Sequence, residues 1–249
     1  MPSNLVTSQS FHEGLACLLT LNRNSKRNAL NVDLSEELID EFLRLQSTPV
    51  RAIVLTGDGP IFSAGADLKE RDFAGELYPA LERLMGTIRT LSVPVIAAVN
   101  GPAIGAGAML AMACDFRVVG ETASFRTPVT DMAIGVDQST VRNLELLVGG
   151  ARARAMLMLG QELDAAGALA CGFALQTGGV EEALALAGLL TQKAPLTVKQ
   201  LKMDFAHVAG EPFTEAECDK ARLAAWNSED FQEVRRAREE KRPPKFLGE

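Results

Sequence analysis

Two runs of small residues carry the chemistry that this 249-residue chain could perform. One is Phe62-Ser63-Ala64-Gly65-Ala66-Asp67; the other is Asn100-Gly101-Pro102-Ala103-Ile104-Gly105-Ala106-Gly107-Ala108. Each follows an apolar segment with the pattern of a buried strand, residues 51–56 and 93–99, and the second opens into Met109-Leu110-Ala111-Met112-Ala113-Cys114-Asp115, composed like the start of a helix. Small residues let a backbone approach another group closely, and the first turn of a helix has N–H groups without intrahelical partners. Two such turns facing each other could hold one oxygen between two N–H donors, which stabilises negative charge developing on a carbonyl. The plainer alternative is that both runs are tight strand-to-helix connections.

Other chemistries find little support. The two histidines, His12 and His207, lie outside both runs, and no Ser-His-Asp order or nucleophile elbow is present. Gly105-Ala106-Gly107 is not a dinucleotide fingerprint, because the third glycine and the acidic partner fail. The four cysteines, Cys17, Cys114, Cys171 and Cys218, are far apart without metal-ligand spacing, so no metal site and a reducing, cytoplasmic setting are expected. A net charge of −7 speaks against non-specific nucleic-acid binding. No run of about 18 apolar residues suggests a membrane span, and Met1-Pro2-Ser3-Asn4 lacks the basic and apolar blocks of a leader.

The elements that must position the two runs alternate. Strands are expected at residues 15–21, 51–56, 93–99, 115–119 and 124–126, and helices at 33–45, 79–91, 105–113, 140–148, 151–159, 164–171 and 180–193. An apolar share of 47% supports a large core of α/β class. After Pro195 only helical patterns remain, at 197–208, 214–226 and 228–241, so the division expected is an α/β core over 1–194 and a helical region over 195–249. Residues 68–79, with mixed charges and Gly75, are expected to be the mobile stretch.

Four segments in order resemble the crotonase superfamily, the enoyl-CoA hydratase/isomerase family: Leu21-Asn22-Arg23 with Lys26-Arg27-Asn28-Ala29-Leu30-Asn31, Ala64-Gly65-Ala66-Asp67-Leu68, Asn100 to Asp115, and Phe125 to Gly149. The likeness runs in one register from about Leu15 to the end. It implies a spiral of ββα turns with C-terminal helices that assemble trimers, often paired into hexamers. It implies acyl-coenzyme A as ligand or substrate, with no permanently bound cofactor. The N–H groups of Ala66 and Ala106 would face the thioester oxygen, although the family usually has glycine at the position of Ala106. Lys26, Arg27, Ala29, Ala64, Asp67, Leu68 and Lys69 would line the coenzyme A site. The polyanionic ligand needs a basic patch on this acidic chain, for which Lys26, Arg27, Lys69, Arg71, Lys241, Arg242 and Lys245 are candidates; solvated surface charge is the alternative for each.

A hydratase of this family uses two glutamates around the water it adds. The positions that match them here are Met109 and Val129, so both carboxylates are missing and an apolar acyl pocket takes their place; simple core packing is the alternative for Met109. Asp137 matches an aspartate of the family's dienoyl-CoA isomerases. It could pass a proton along an acyl chain, with burial expected to disfavour its charged form, or it could cap the helix that starts near Thr140. The resemblance therefore implies an acyl-CoA-binding homologue without hydratase activity, from a branch tied to lipid metabolism whose partners include lipid-metabolism enzymes. The other function it allows is an enoyl-CoA isomerase acting through Asp137.

Overall fold

The computed structural model describes residues 4–249. Met1, Pro2 and Ser3, which entered the reading of the leader and of the core's first boundary, lie outside the described residues. The chain order is β1 (Val6–Phe11), β2 (Ala16–Leu21), α1 (Val32–Gln46), β3 (Ala52–Gly57), α2 (Tyr78–Thr90), β4 (Val95–Val99), β5 (Ala103–Ile104), α3 (Ala106–Ala113), β6 (Phe116–Val119), β7 (Ser124–Arg126), α4 (Gln138–Val148), α5 (Gly150–Leu159), β8 (Leu163–Asp164), α6 (Ala165–Ala170), β9 (Gln176–Thr177), α7 (Val180–Thr191), α8 (Pro195–Val208), α9 (Glu215–Trp226) and α10 (Glu229–Glu239).

Six strands form one sheet in the order β1-β2-β3-β4-β6-β9, in which only the β1–β2 pair is antiparallel; β5, β7 and β8 form a smaller sheet. All six residues of β3 are buried, because both faces of the large sheet are covered. Alternation along the strand divides them: Ile53 and Leu55 join the core beneath α1, α2 and α3, whereas Ala52 and Val54 pack with Ala183 and Ala187 of α7. Alanines there let α7 sit close to the sheet. His12 lies over Gly188, where a Cβ would come within 2.7 Å of its ring.

Helix starts follow local chemistry. Asn31 accepts from the Leu34 N–H at 3.1 Å, Asp164 from the Gly167 N–H at 2.7 Å, and Thr214 with Glu217 forms a reciprocal cap. Residues 73–77, within the stretch expected to be mobile, form a single π-helical turn that Asp72 caps and that runs into α2. The terminal helices begin at Pro195; α8 packs on α2 and α9, and α10 packs on α9. The result is a mixed α/β fold with a C-terminal helical region.

Candidate functional site

The two small-residue runs meet. Ser63 pairs in parallel fashion with Ala103: the Ser63 N–H donates to the Pro102 carbonyl at 3.3 Å and the Ile104 N–H to the Ser63 carbonyl at 3.0 Å. Ala66 pairs with Leu30, but the bonds run through its neighbours, from the Leu30 N–H to Gly65 O and from the Asp67 N–H to Leu30 O, each 2.7 Å. In a parallel bridge of this kind the central residue's own N–H points away from the paired strand. The Ala66 amide is thus directed away from Leu30, toward the side on which α3 begins.

Glycines bring α3 there. A Cβ on Gly65 would stand 2.5 Å from the Ile104 carbonyl oxygen and 3.4 Å from the Ala106 nitrogen, and one on Gly107 would stand 2.5 Å from the Ser63 carbonyl oxygen. Gly65 (φ +92°) and Gly105 (φ +52°) take left-handed backbone that other residues avoid. Ala106 is the first residue of α3 and its φ is not positive. An alanine in the family's glycine position is therefore unstrained, because Gly105 makes the turn. Among the described residues neither the Ala66 nor the Ala106 N–H has a protein acceptor. Two unpartnered donors from two loops, one at a helix start, can bind a single carbonyl oxygen.

The rim of this cradle rests on residues that sequence reasoning passed over. Asn28 is fully buried at φ +53°; its amide donates to Asp58 O and Ile61 O, both 2.9 Å, and its carbonyl accepts from Ser63 Oγ at 2.8 Å. Arg23 reaches Ala29 O at 2.9 Å and Asp67 Oδ2 at 2.8 Å. That guanidinium beside Asp67 holds its carboxyl below the usual range. Asp67, expected to line the coenzyme A site, has its other oxygen on the Lys69 N–H at 3.2 Å, so its carboxylate braces the loop. Ala64 donates its N–H to Arg27 O at 2.9 Å, tying the two rims together, and Ala29 follows in the same loop. Lys26, Arg27, Leu68 and Lys69 are exposed at its edge.

Met109 lies one turn into α3, partly buried against the main core, and Val129 is 9% exposed just beyond β7. Register brings their elements together, since Gly105 N–H donates to Arg126 O at 2.7 Å and Ile104 pairs with Arg126. A separate cavity of about 470 Å³ lies at the far end of α3, walled by Met112, Phe116, Leu146, Leu201 and Phe205; it includes neither Met109 nor Val129.

Asp137 is the N-terminal cap of α4. Its carboxylate accepts from the Thr140 N–H at 2.8 Å, Thr140 Oγ1 at 2.7 Å and Tyr78 Oη at 3.1 Å, and its own N–H donates to Tyr78 Oη at 3.0 Å. Burial is expected to disfavour the charged form of Asp137, but the net shift runs the other way. Burial does push the carboxyl up, but the bonds from Thr140, Tyr78 and Ser139 outweigh it and hold the pKa at about 2. Burial, with the negative Asp137 alongside, raises the Tyr78 phenol to about 12. Tyr78 thus links α2 to α4, the two helices that flank α3. No group of three or more His, Cys, Asp or Glu able to hold a metal ion occurs among the described residues, and no helix there is long and apolar enough to cross a membrane.

Comparison with known proteins decides the lineage. A family model for enoyl-CoA hydratase/isomerase matches residues 11–249. The chain belongs to the enoyl-CoA hydratase/isomerase family. It is 42% identical over 234 residues to the "probable enoyl-CoA hydratase echA6" of Mycobacterium tuberculosis, covering 92% of this chain and 95% of that one. It is 35% identical over 193 residues to the 2,3-dehydroadipyl-CoA hydratase of Escherichia coli, covering 74% and 76%. Among solved structures, a hydratase/isomerase family protein of Hyphomonas neptunium superposes with a TM-score of 0.89 at 27% identity, covering 98% of both chains. An enoyl-CoA hydratase of Bacillus anthracis superposes with a TM-score of 0.82 at 29% identity, covering 98% and 100%. This member of the family has the family's mixed α/β fold and C-terminal helices.

Proposed function

We propose that this protein binds acyl-CoA thioesters of fatty-acid or lipid metabolism through the Ala66 and Ala106 amides and does not hydrate them. One observation carries the reading: the amide frame is intact, while Met109 and Val129 stand at the two positions that match the family's catalytic glutamates. Adding water to an enoyl thioester needs one group to take a proton and another to give one. A thioether and an isopropyl group do neither. They suit an apolar wall for the acyl chain, and a flexible methionine accommodates chains of varied shape. Ala29, Ala64 and Leu68 would line the path of the pantetheine, and Lys26, Arg27 and Lys69 would meet the phosphates at the rim.

Asp137 serves this reading as an anchor. An isomerase would need it to accept a proton near neutrality, and a carboxyl held at about 2 by three donors is a poor base for that task. The terminal helices present Leu223, Trp226 and Phe231, which are 51%, 56% and 41% exposed, and this supports assembly of copies as trimers through that region.

The test is to titrate the purified protein with crotonyl-CoA, a 3-enoyl-CoA and a long-chain acyl-CoA by calorimetry, and to follow the enoyl absorbance in parallel. Saturable binding with no loss of the conjugated double bond is expected. Hydration of crotonyl-CoA well above the buffer rate would refute the proposal, and isomerisation of the 3-enoyl thioester that disappears in Asp137→Asn would replace it with the isomerase reading.

A further inference from the structure

Helix α3, whose first residue offers the Ala106 amide, has the sequence Ala-Gly-Ala-Met-Leu-Ala-Met-Ala. No side chain in it can donate or accept a strong hydrogen bond, and seven of its eight residues are buried. Apolar contacts with small residues are weakly directional, so the helix has little of its own to fix its rotation or its axial position. Directional contacts must come from its ends. At the front, Gly105 N–H holds Arg126 O and Gly107 abuts Ser63.

At the back stands Arg117, only 5% exposed. Its guanidinium donates to Cys114 O at 2.7 Å and Ala111 O at 3.2 Å, the carbonyls that end α3, and to Phe173 O at 2.5 Å in the connection before β9. The Phe173 ring lies beneath it with its centroid 4.9 Å away. Among the described residues no carboxylate forms a salt bridge with Arg117; the neighbouring Asp115 carboxylate is paired with Lys202 at 2.7 Å. Burying a cation without a salt-bridge partner is costly, and here the carbonyl dipoles, the face of the Phe173 ring and the nearby Asp115 charge offset the cost. The acceptors include the C-terminal carbonyls of the helix, where a positive charge is favoured by the helix dipole.

We propose that Arg117 is a positioning residue for the thioester cradle: by clamping the C-terminal carbonyls of α3 to Phe173, it sets the axial position and rotation of the helix and so aims the Ala106 N–H at the bound carbonyl. The inference rests on the acyl-CoA reading above. Arg117 touches no ligand; it acts along one rigid helix of eight residues. Lysine cannot replace it fully, because a single ammonium does not present the planar fork that reaches Ala111, Cys114 and Phe173 together.

The experiment uses para-dimethylaminocinnamoyl-CoA, whose absorption moves to the red when its carbonyl is polarised. The spectrum at saturation reports the bound state alone and is insensitive to the amount of protein that is folded. In the parent a red shift is expected. In Arg117→Lys the saturated shift should fall by at least about half, with affinity weakened on the order of tenfold, about what one misaligned hydrogen bond costs. In Arg117→Met both losses should be larger. A purely structural arginine would lower the unfolding temperature and leave the saturated shift unchanged, and that result in folded Arg117→Lys overturns the inference. Should neither Arg117 variant fold, Phe173→Leu keeps the carbonyl and removes the ring beneath the guanidinium; a parental shift in that variant overturns the inference equally. Absence of any shift in the parent removes the cradle reading, and the role of Arg117 with it.

Discussion

Gly65→Ala tests the cradle at its tightest point. The φ of +92° alone puts alanine in a backbone region it avoids, at a cost of about 1–2 kcal/mol. The new methyl also meets the Ile104 carbonyl oxygen at 2.5 Å, where real Cβ contacts stay beyond 3.0 Å, so the two loops must part by about 0.5 Å (3.0 − 2.5). That displacement falls between the Ala66 and Ala106 amides, because the Ala106 nitrogen is only 3.4 Å from the same position. A total cost of about 2 kcal/mol corresponds to a fall of roughly 4–8 °C in unfolding temperature for a chain of this size. Thioester affinity should drop on the order of tenfold, since the two donors no longer converge on one oxygen. Calorimetric titration with a saturated acyl-CoA, beside differential scanning calorimetry, measures both. Gly86→Ala is the matched control. Gly86 lies inside α2 with ordinary backbone and nothing within 4 Å of the added methyl, so it should gain about 1 kcal/mol and bind as the parent does. If Gly65→Ala binds acyl-CoA within about twofold of the parent, the two loops do not form the carbonyl site.

The surrounding residues lead to further outcomes. Asp137 titrates at about 2 in the folded chain against 3.8 as its ordinary value, so its ionised form stabilises the fold above about pH 4 and that contribution vanishes as the pH falls through 2. Discounted for partial exposure, the contribution is about 1 kcal/mol; urea unfolding of the parent should lose that much more than Asp137→Asn between about pH 5 and pH 2, and parallel curves would contradict it. Arg23→Met leaves Asp67 without its partner at a site where the two side chains are 17% and 13% exposed, and should cost about 2 kcal/mol and weaken acyl-CoA binding; unchanged unfolding and binding would separate the ion pair from the cradle. Met109→Trp should abolish binding of a long-chain acyl-CoA while sparing acetyl-CoA, and equal loss of both would show that Met109 does not line the acyl chain.

Much of this fold can be read in the chain because burial writes itself as apolar runs. β3 and β4 are covered on both faces, so nearly every residue in them is apolar and their limits are plain. Strand β1 escaped notice for the opposite reason: it is an edge strand, three of its residues are exposed, and Thr7-Ser8-Gln9-Ser10 has the composition of a loop. β8 and β9, two residues each, exist through pairing with distant strands. In the site, the cradle's glycines were conspicuous because close approach and positive φ leave few alternatives. Its supports were not. Arg23 meets Asp67 across 44 positions and Tyr78 meets Asp137 across 59; neither partner has a local pattern that announces the other. Asn28 carried one usable signal, a short polar residue suited to left-handed backbone, sitting within a basic loop. Asp137 shows the reverse problem. Its cap position is legible in the sequence; its net ionisation is not, because the donors that outweigh burial are identified only by their positions in the fold.

The persistence of the amide frame beside missing carboxylates has a physical basis. The donors of the cradle belong to the backbone, so they survive any substitution that preserves Gly65, Gly105 and Gly107 in their turns. Proton-moving groups belong to side chains, and on the proposed reading one substitution each, at Met109 and Val129, removes them without disturbing a main-chain hydrogen bond. On the proposed reading, what remains would stabilise a thioester oxygen without supplying the proton transfers that exploit the charge developing there. Interactions felt equally by ground state and transition state give affinity and no acceleration of the chemical step. Restoring chemistry therefore asks for more than one acid. A Met109→Glu, Val129→Glu double variant places two carboxylates against an apolar wall, where each raises the pKa of the other, and hydratase activity should require both, so that either single variant alone remains a binder.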